Sequence, residues 1–193
     1  LFIRSLATIK KAAALANRDC GLLTPEMCDI IGKACDEVIA GKHHDQFVVD
    51  VIQGGAGTST NMNANEVIAN CALELSGYEK GRYDIIHPLN HVNMSQSTND
   101  VYPTALRITL SLYLDGLVTE MEGLQRSLQA KGEEFADVLK VARTQLQDAI
   151  PITLGQEFSA YAVMVGEDIQ RVREGQALIR EINMGATAIG TGL

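Results

Sequence analysis

An apolar repeat that alternates spacings of four and three residues constrains the fold of this 193-residue chain more than any other feature. Two segments carry the repeat, and its spacing does not break in either one. The first series is Leu110, Leu114, Leu117, Met121, Leu124 and Leu128, and the second is Phe158, Ala162, Val165, Ile169, Val172, Gln176 and Ile179. This alternation is the 3.5-residue seam of helices that pack nearly parallel or antiparallel.

The length of the two segments predicts a bundle of long helices. A helix from about Thr153 to Glu181 would be roughly 43 Å long at 1.5 Å per residue, which exceeds what a compact small domain requires. The chain is 5% aromatic and has no Trp, and slim aliphatic side chains suit helices that pack side by side. The sequence therefore predicts an all-α fold whose bundle is completed by other subunits.

Local signals predict three further helices. The first covers residues 1 to about 17, and the third covers about 61–75. The second begins at Thr24-Pro25-Glu26, where a hydroxyl cap, a Pro at the first helical position and an acid near the helix N-terminus coincide. Between the helices, 78–99 and 141–152 are predicted as loops, and 47–53 as an extended segment before a Gly-rich turn.

Charge and hydropathy exclude two classes of partner. The formal net charge is −8 and no Lys or Arg residues are clustered, so nucleic acid is not expected as a partner. No stretch approaches the ~18 apolar residues that cross a bilayer, and no signal peptide is visible, so we expect a cytoplasmic chain without membrane contact. The four cysteines form no Cys-x-x-Cys pair and are predicted to be reduced, mostly buried thiols. The start at Leu1, inside a predicted helix, favours a fragment of a longer protein.

Three polar clusters combine hydroxyl and amide side chains with the start of a helix. They lie at 57–61, 95–100 and 143–148. Any one of them is explained by helix capping, because Ser, Thr, Asn and Asp are common at helix starts. Taken together, the three clusters contain more hydroxyl and amide side chains than helix capping requires. Since helix N-termini bind anions, the three clusters predict a site for a small anion.

No pattern in the sequence predicts a cofactor or a metal site. The Gly-rich turn at 54–59 lacks the Lys of a P-loop and the third Gly of a dinucleotide-binding turn. The adjacent residues His43 and His44 do not share one face of a helix or strand, and no further ligands have matching spacing. His87 and His91 lie in the predicted polar loop and are candidates for substrate contact or support.

Several stretches resemble, in order, the signature regions of the aspartase/fumarase superfamily. They are Gly-Ala-Gly-Thr-Ser-Thr-Asn-Met-Asn-Ala-Asn-Glu-Val at 55–67, His-Val-Asn at 91–93, Gln-Ser-Thr-Asn-Asp at 96–100, Arg-Thr-Gln-Leu-Gln-Asp-Ala at 143–149, Thr-Leu-Gly-Gln-Glu at 153–157 and the Gly-rich end at 185–193. The resemblance implies a truncated long-helix bundle of this type. Residues 1–96 would be part of the N-terminal, mainly helical domain, and 97–193 the first part of the central long-helix domain.

Three motif positions resemble the aspartase branch more than class II fumarases. Fumarases tend toward Gly-Ser-Gly-Thr-Gln, Asp-Asp-Val-Asn and Arg-Thr-His, whereas this chain has Gly-Ala-Gly-Thr-Ser, Asn-His-Val-Asn and Arg-Thr-Gln. The branch implies elimination of ammonia from L-aspartate to give fumarate, without a cofactor or a metal. Two alternatives stay open: a class II fumarase that interconverts malate and fumarate, and a noncatalytic helical oligomerisation module.

The resemblance also implies roles for single residues. In the family, a proton leaves the carbon beside one carboxylate, and the resulting aci-carboxylate then expels the leaving group. Positions that hold this carboxylate match Thr58, Ser97 and Thr98, while positions around the amino group match Asn99, Thr144 and Gln145. Ser59 and Asn61 complete the predicted substrate contacts.

One family element has no counterpart in the sequence. The family's base is a serine on a mobile Gly-Ser-Ser-x-x-Met-Pro loop, and no such stretch occurs in residues 1–193. The resemblance therefore implies an enzyme whose catalytic serine lies outside this chain, and we expect this polypeptide by itself to be inactive. It also implies a homotetramer in which several subunits build each active site.

Overall fold

The computed structural model describes residues 1–192 and shows a mostly helical chain. Its elements are α1 (Phe2–Asp19), α2 (Pro25–Ile39), α3 (Thr58–Leu75), α4 (Thr98–Glu134), β1 (Leu139–Thr144), β2 (Gln147–Thr153) and α5 (Leu154–Ile179). A 3₁₀ turn at His44–Gln46 and a π-helical turn at Pro88–Val92 lie between helices. The predicted all-α class is confirmed, with one small antiparallel sheet added to it.

The chain divides into two compact units, each described by itself. The first unit contains residues 1–109 and the segment that starts at residue 182, and the second contains residues 110–181. Helix α4 contributes its N-terminal part to the first unit and the rest to the second. The predicted division into domains at residues 96 and 97 stays a prediction, because compact units within one chain do not define the domains of a larger assembly.

The predicted helix starts are found where the local chemistry favours them. The Thr24 hydroxyl accepts a hydrogen bond from the Met27 amide (3.2 Å), and Pro25 is the first residue of α2. Helix α5 begins with a capping box: the Gln156 amide donates to the Thr153 hydroxyl (3.1 Å), and the Thr153 amide donates to the Gln156 side chain (2.9 Å). These caps satisfy amides that have no partner inside the helix.

The core of the first unit joins α1, α2 and α3. Its fully buried apolar side chains include Ile31, Val38, Ile68 and Leu73. A smaller cluster joins α1, α3 and the start of α4, with Leu6 of α1 at its centre. Helix α1 therefore packs on both sides, and α3 reaches both clusters. This arrangement fixes the first turn of α3 relative to the first turn of α4.

Lys10 is an exception in this core because its side chain is fully buried. Its ammonium group donates a hydrogen bond to the Asn93 side-chain oxygen (2.7 Å). Burial lowers the pKa of Lys10 to about 7, an effect that a nearby thiol, Cys35, opposes only in part. A buried amine near neutrality is an electrostatic cost that the fold tolerates at this position.

The segment predicted as a loop at 141–152 forms a β-hairpin instead. Strands β1 and β2 pair antiparallel, with Leu139 opposite Thr153 and Thr144 opposite Gln147. The two turn residues, Gln145 and Leu146, both have positive φ (52° and 63°), as the favoured two-residue hairpin turns require. The loop prediction was wrong because this turn uses neither Gly nor Asn, so the usual hairpin signal is absent. The extended segment predicted at 47–53 is also not found as a strand.

The α5 seam of the second unit matches the sequence prediction. All seven predicted positions are buried or half-buried, with Ala162, Ile169 and Gln176 the most enclosed. Gln176, the polar residue in this series, also binds α4. Its side-chain amide donates to the Ser111 carbonyl oxygen (2.9 Å) and to the Asp115 carboxylate (2.6 Å). The predicted helix from about Thr153 is confirmed.

The α4 seam matches its prediction only in part. Leu114, Met121 and Leu128 are half-buried, but the alternate members of the series are exposed. These exposed members are Leu110, Leu117 and Leu124, at 48%, 46% and 52%. The half-buried Gln125 contacts α5, where its amide donates to the Ala162 carbonyl oxygen (3.2 Å). A row of leucines seven residues apart is thus left uncovered in the described chain.

Two glycines allow α4 and α5 to approach closely near the hairpin. A Cβ added to Gly155 would lie 2.8 Å from backbone atoms of Ala136 and even closer to the Gly132 carbonyl oxygen. A Cβ added to Gly132 would meet the Ser159 hydroxyl at 2.5 Å. Glycine is therefore required at Gly155 for this backbone approach, whereas a Cβ at Gly132 would displace the Ser159 side chain.

Three of the four thiols are buried, as predicted: Cys28, Cys35 and Cys71, whereas Cys20 is exposed. No helix among residues 1–192 combines the length and the apolar content needed to cross a bilayer.

We expect the stability of the chain to rise with pH above neutrality because of Lys10. The folded-state pKa is about 7 and the unfolded value 10.5, so the unfolded chain binds more protons between these values. Each pH unit should then add up to about 1.4 kcal/mol to the free energy of unfolding. Urea unfolding followed by far-ultraviolet circular dichroism measures this slope between pH 7 and about 7.5, because unfolded thiols, whose pKa is about 8.5, begin to titrate above that range.

Lys10→Met should remove the slope, whereas Lys11→Met should keep it, because Lys11 is an exposed residue paired with Asp36 (2.7 Å). An unchanged slope in Lys10→Met would contradict the assignment.

Candidate functional site

The first turns of α3 and α4 lie side by side in the first unit. The buried Asn61 side chain, in the first turn of α3, donates from its amide nitrogen to the Thr98 hydroxyl (3.1 Å) at the start of α4. The same nitrogen donates to the Asn93 side-chain oxygen (3.3 Å). Two helix N-termini therefore converge, and their free amides and dipoles favour a negative charge at this place.

Asn61 has unused hydrogen-bonding capacity. Its side-chain oxygen is buried and has no partner among the described residues. A buried acceptor without a partner costs roughly 1–3 kcal/mol, so it calls for a donor from a ligand or water. An ammonium group, which has only donors, fits such an acceptor.

Lys10 supports this site from behind. Its ammonium group, Asn93, Asn61 and Thr98 form a continuous hydrogen-bonded series through the Asn93 oxygen. The Asn93 amide in turn donates to the Gln96 carbonyl oxygen (3.0 Å), just before α4 begins. The sequence reasoning missed Lys10. The signal was present, because Lys10 lies at four-residue spacing between Leu6 and Ala14 on the buried face of α1.

The start of α4 is held by a reciprocal cap. The Asn99 amide donates to the Ser97 hydroxyl (3.2 Å), and the Ser97 amide donates to the fully buried Asp100 carboxylate (2.8 Å). The other Asp100 oxygen accepts from the Thr187 amide (2.8 Å). Residues 183–188 therefore pack against the first turn of α4, where the Asn99 side chain also donates to the Ala188 carbonyl oxygen (3.3 Å).

A cavity of about 380 Å³ lies between the Gly-rich turn and the start of α4. Its lining includes Gly57, Asn99 and Tyr102. Gly57 has φ +83° and its α-carbon faces the Tyr102 ring so closely that a Cβ would clash with it. Glycine is therefore needed here both for the backbone conformation and for the close approach. Thr58 and Ser59 follow as exposed residues of the first turn of α3.

The two loop histidines have a local structural task. The His87 Nδ1 atom accepts hydrogen bonds from the amides of Leu89 (3.0 Å) and Asn90 (3.2 Å) and so caps the π-helical turn. The His91 Nδ1 atom accepts from the His87 amide (2.9 Å). Burial, and then the charge of His87, lower the pKa of His91, which favours the neutral ring that this acceptor role needs.

The remaining predicted site residues, Thr144 and Gln145, belong to the second unit. They form the exposed end of the hairpin, beside an ion pair between Arg143 and Asp148 (3.5 Å). The positive φ of Gln145 and Leu146 is uncommon for residues other than Gly and Asn. The two-residue hairpin turn accounts for both values.

The predicted site residues of the first unit thus come together around the paired helix starts. Asn61 and Thr98 are hydrogen-bonded to each other, and Ser97 and Asn99 share one turn. Their catalytic and substrate-binding roles, and the participation of Thr144 and Gln145, stay predictions. Chemically, the arrangement offers hydroxyls, amides and helix N-termini to an anion.

Comparisons with known proteins give the family context. A family model described as "Lyase" matches residues 2–193. Curated aspartate ammonia-lyases match along almost the whole chain. One from Helicobacter pylori is 56% identical over 193 residues, covering 100% of this chain and 41% of that protein. One from Bacillus sp. is 58% identical over 191 residues, covering 99% and 41%. The chain therefore spans about two fifths of the length of these relatives.

Solved structures show the same fold. A fumarate lyase:delta crystallin from Brucella melitensis bound to cobalt superposes with a TM-score of 0.95 at 56% identity, over 100% of this chain and 42% of that one. A recombinant class II fumarase from Schistosoma mansoni superposes with a TM-score of 0.93 at 38% identity, over 100% of this chain and 40% of that one. Since the family match runs from residue 2 to residue 193, this chain belongs to the lyase family, as its resemblance to the aspartase/fumarase superfamily predicted.

Proposed function

We propose that this chain contributes part of the active site of an aspartate ammonia-lyase, which eliminates ammonia from L-aspartate to give fumarate. The proposal covers a longer polypeptide that acts in the cytoplasm. It is supported by relatives of that name at 54% identity or more, whereas the fumarase neighbour is 38% identical.

One observation carries the proposal: the Asn61–Thr98 hydrogen bond, which sets the first turns of α3 and α4 side by side. Elimination through an aci-carboxylate intermediate places a second negative charge on one carboxylate. Preorganised donors at that carboxylate are the main requirement for such a reaction. Two converging helix starts with hydroxyl side chains supply such donors, and the buried Lys10 ammonium group supports them through Asn93.

In the proposed mechanism, Thr58, Ser97 and Thr98 hold the carboxylate that gains charge. Thr58 lies in the first turn of α3, and the other two lie at the start of α4. The Asp100 carboxylate, in the same turn, has both oxygens occupied by backbone amides, from Ser97 and Thr187, so it does not compete for the Ser97 and Thr98 hydroxyls.

The amino group of aspartate would lie beside neutral acceptors. Asn99 lines the cavity, and the unpartnered oxygen of Asn61 lies one turn inside α3. Ser59 borders the same turn. Thr144 and Gln145, at the end of the hairpin, are proposed to contribute further contacts to the amino group of aspartate.

The base that removes the proton is proposed to lie outside this chain. Residues 1–193 contain no Gly-Ser-Ser-x-x-Met-Pro stretch, and Tyr102 is the one ionisable side chain among the described residues that line the cavity. The chain by itself is therefore proposed to be inactive.

Assembly is part of the proposal as well. The uncovered leucines of α4, Leu110, Leu117 and Leu124, recur every seven residues and form an apolar row on one face. A row of this kind is typical of a helix that packs against a further helix. We assign it to contacts within a homotetramer whose subunits share active sites.

The first test is the substrate. The full-length protein that carries this chain should release fumarate, measured by ultraviolet absorbance, from L-aspartate and not from L-malate. The chain of residues 1–193 should release none from either. Activity on malate alone would make the protein a class II fumarase, while an inert full-length protein would favour a noncatalytic oligomerisation module.

A second test addresses the donors. Thr98→Val in the full-length protein keeps the shape of the side chain but removes its hydroxyl, and kcat on L-aspartate should fall roughly 100- to 1000-fold. Thr8→Val is the matched control, since the exposed Thr8 hydroxyl donates only to the Arg4 carbonyl oxygen of its own helix. A kcat within about twofold of the wild-type value in Thr98→Val would exclude this role.

A third test addresses assembly. Leu117→Glu places a charge in the apolar row and should weaken self-association of the chain roughly tenfold or more, measured by analytical ultracentrifugation. Thr119→Glu introduces the same charge at an exposed position on the other side of α4 and should leave association unchanged. Equal effects of the two variants would remove the row from the interface.

A further inference from the structure

Three side chains from separate parts of the first unit bring one potential metal ligand each to a common point. They are Glu37 near the end of α2, His43 in the following turn and Cys71 in α3. We propose that these residues form a site for a Zn²⁺-like divalent cation, bound by the Glu37 carboxylate, the His43 imidazole and the Cys71 thiolate. The inference goes beyond the proposed lyase function and does not depend on it.

The distances between the donor atoms are those of a tetrahedral site. The Glu37 Oε2 and His43 Nε2 atoms are 3.1 Å apart, the Cys71 Sγ atom is 3.5 Å from Glu37 Oε2, and it is 3.6 Å from His43 Nε2. Zinc bonds of about 2.0–2.1 Å to nitrogen and oxygen and 2.3 Å to sulfur give tetrahedron edges of about 3.3 Å and 3.5 Å. The three atoms therefore already occupy three corners of such a tetrahedron.

The backbone directs His43 toward the other two groups. His43 has φ +59°, a left-handed conformation in which Asn, Asp and His are enriched among residues other than Gly. It directs the ring back toward α2 and α3, where it meets Glu37 and the buried Cys71. The turn that follows α2 therefore sets the position of the imidazole.

Hydrogen bonding alone is the simpler explanation, and it accounts for only part of the cluster. The Lys42 ammonium group pairs with Glu37 Oε1 (2.7 Å), which leaves Oε2 directed at the other two groups. Without a metal, burial and the neighbouring Glu37 raise the pKa of Cys71 to about 12, so the thiol donates weakly to Oε2. A hydrogen bond between the Glu37 carboxylate and the His43 imidazole does not require the Cys71 sulfur atom, which nevertheless lies within 3.6 Å of both groups.

The fourth corner of the tetrahedron is open to solvent. His43 and Cys71 line a cleft of about 250 Å³ whose wall also carries the carboxylates of Glu66 and Glu74. Lys80 also lines the cleft and pairs with Glu74 (3.3 Å), so the wall attracts a cation chiefly through Glu66. The cleft leaves room for water as the fourth ligand. One thiolate, one carboxylate and a neutral imidazole would together balance the charge of a divalent ion.

The proposed ion would join α2, the turn after it and α3. The sequence predicted no metal site at His43, because His44 does not share one face with it and no further ligands have matching spacing. The structure supplies different partners, six and 28 residues away along the chain. Because the folded chain brings these ligands together and the unfolded chain does not, binding should also stabilise the first unit.

Cobalt is a suitable probe, since Co²⁺ bound to a thiolate gives a charge-transfer band in the near ultraviolet. Titration of the metal-free chain of residues 1–193 with Co²⁺ should produce this band, saturating at one ion per chain, and Zn²⁺ should abolish it. Cys71→Ser should lose the band. The control Cys20→Ser, which removes the exposed thiol, should keep it.

A second variant, His43→Asn, distinguishes loss of the metal ligand from misfolding. Asn adopts the left-handed backbone conformation readily, so this variant should fold while it lacks the imidazole. The affinity for Zn²⁺ should fall about 100-fold or more in this variant, and Zn²⁺ should no longer raise its thermal unfolding midpoint. No band at millimolar Co²⁺, a band that disappears with Cys20→Ser, or full Zn²⁺ stabilisation of a folded His43→Asn variant would each overturn the proposal.

Discussion

The hydrogen bond between the buried Lys10 ammonium group and Asn93 is the interaction on which the candidate site depends. Burying an amine is costly, and this cost is offset only if its partner stays in place. Asn93 is thereby fixed against α1, and its oxygen also receives the Asn61 amide, which reaches on to Thr98. One buried polar network thus sets the distance between the two helix starts that present the donors.

The second unit follows a different principle, in which long helices each bury one face and leave another uncovered. Helix α5 uses its predicted seam completely, whereas α4 divides its apolar positions between two faces. In the α4 series, Leu114, Met121 and Leu128 lie on the covered face, whereas the alternate leucines of the series are exposed. A helix with two apolar faces is suited to a bundle with more members than α4 and α5 alone supply.

Local chemistry made much of the chain predictable. The start of α2 at Thr24-Pro25 and the capping box of α5 depend on residues within one turn of each other, so their patterns can be read directly. The polar clusters at 57–61 and 95–100 were likewise visible as candidate anion sites. The hairpin at 139–153 was not, because its turn residues, Gln145 and Leu146, adopt positive φ without the Gly or Asn that normally marks such a turn.

The sequence by itself determined the helix starts, the 3.5-residue seams, the family and the residues that crowd around the paired helix starts. Each of these is specified by spacing along the chain or by local capping. The tertiary structure alone decided that Lys10 is buried, that Asn61 meets Thr98, and that Glu37, His43 and Cys71 converge. These facts join residues far apart in sequence, and packing between helices, not periodicity within one helix, determines which of them meet.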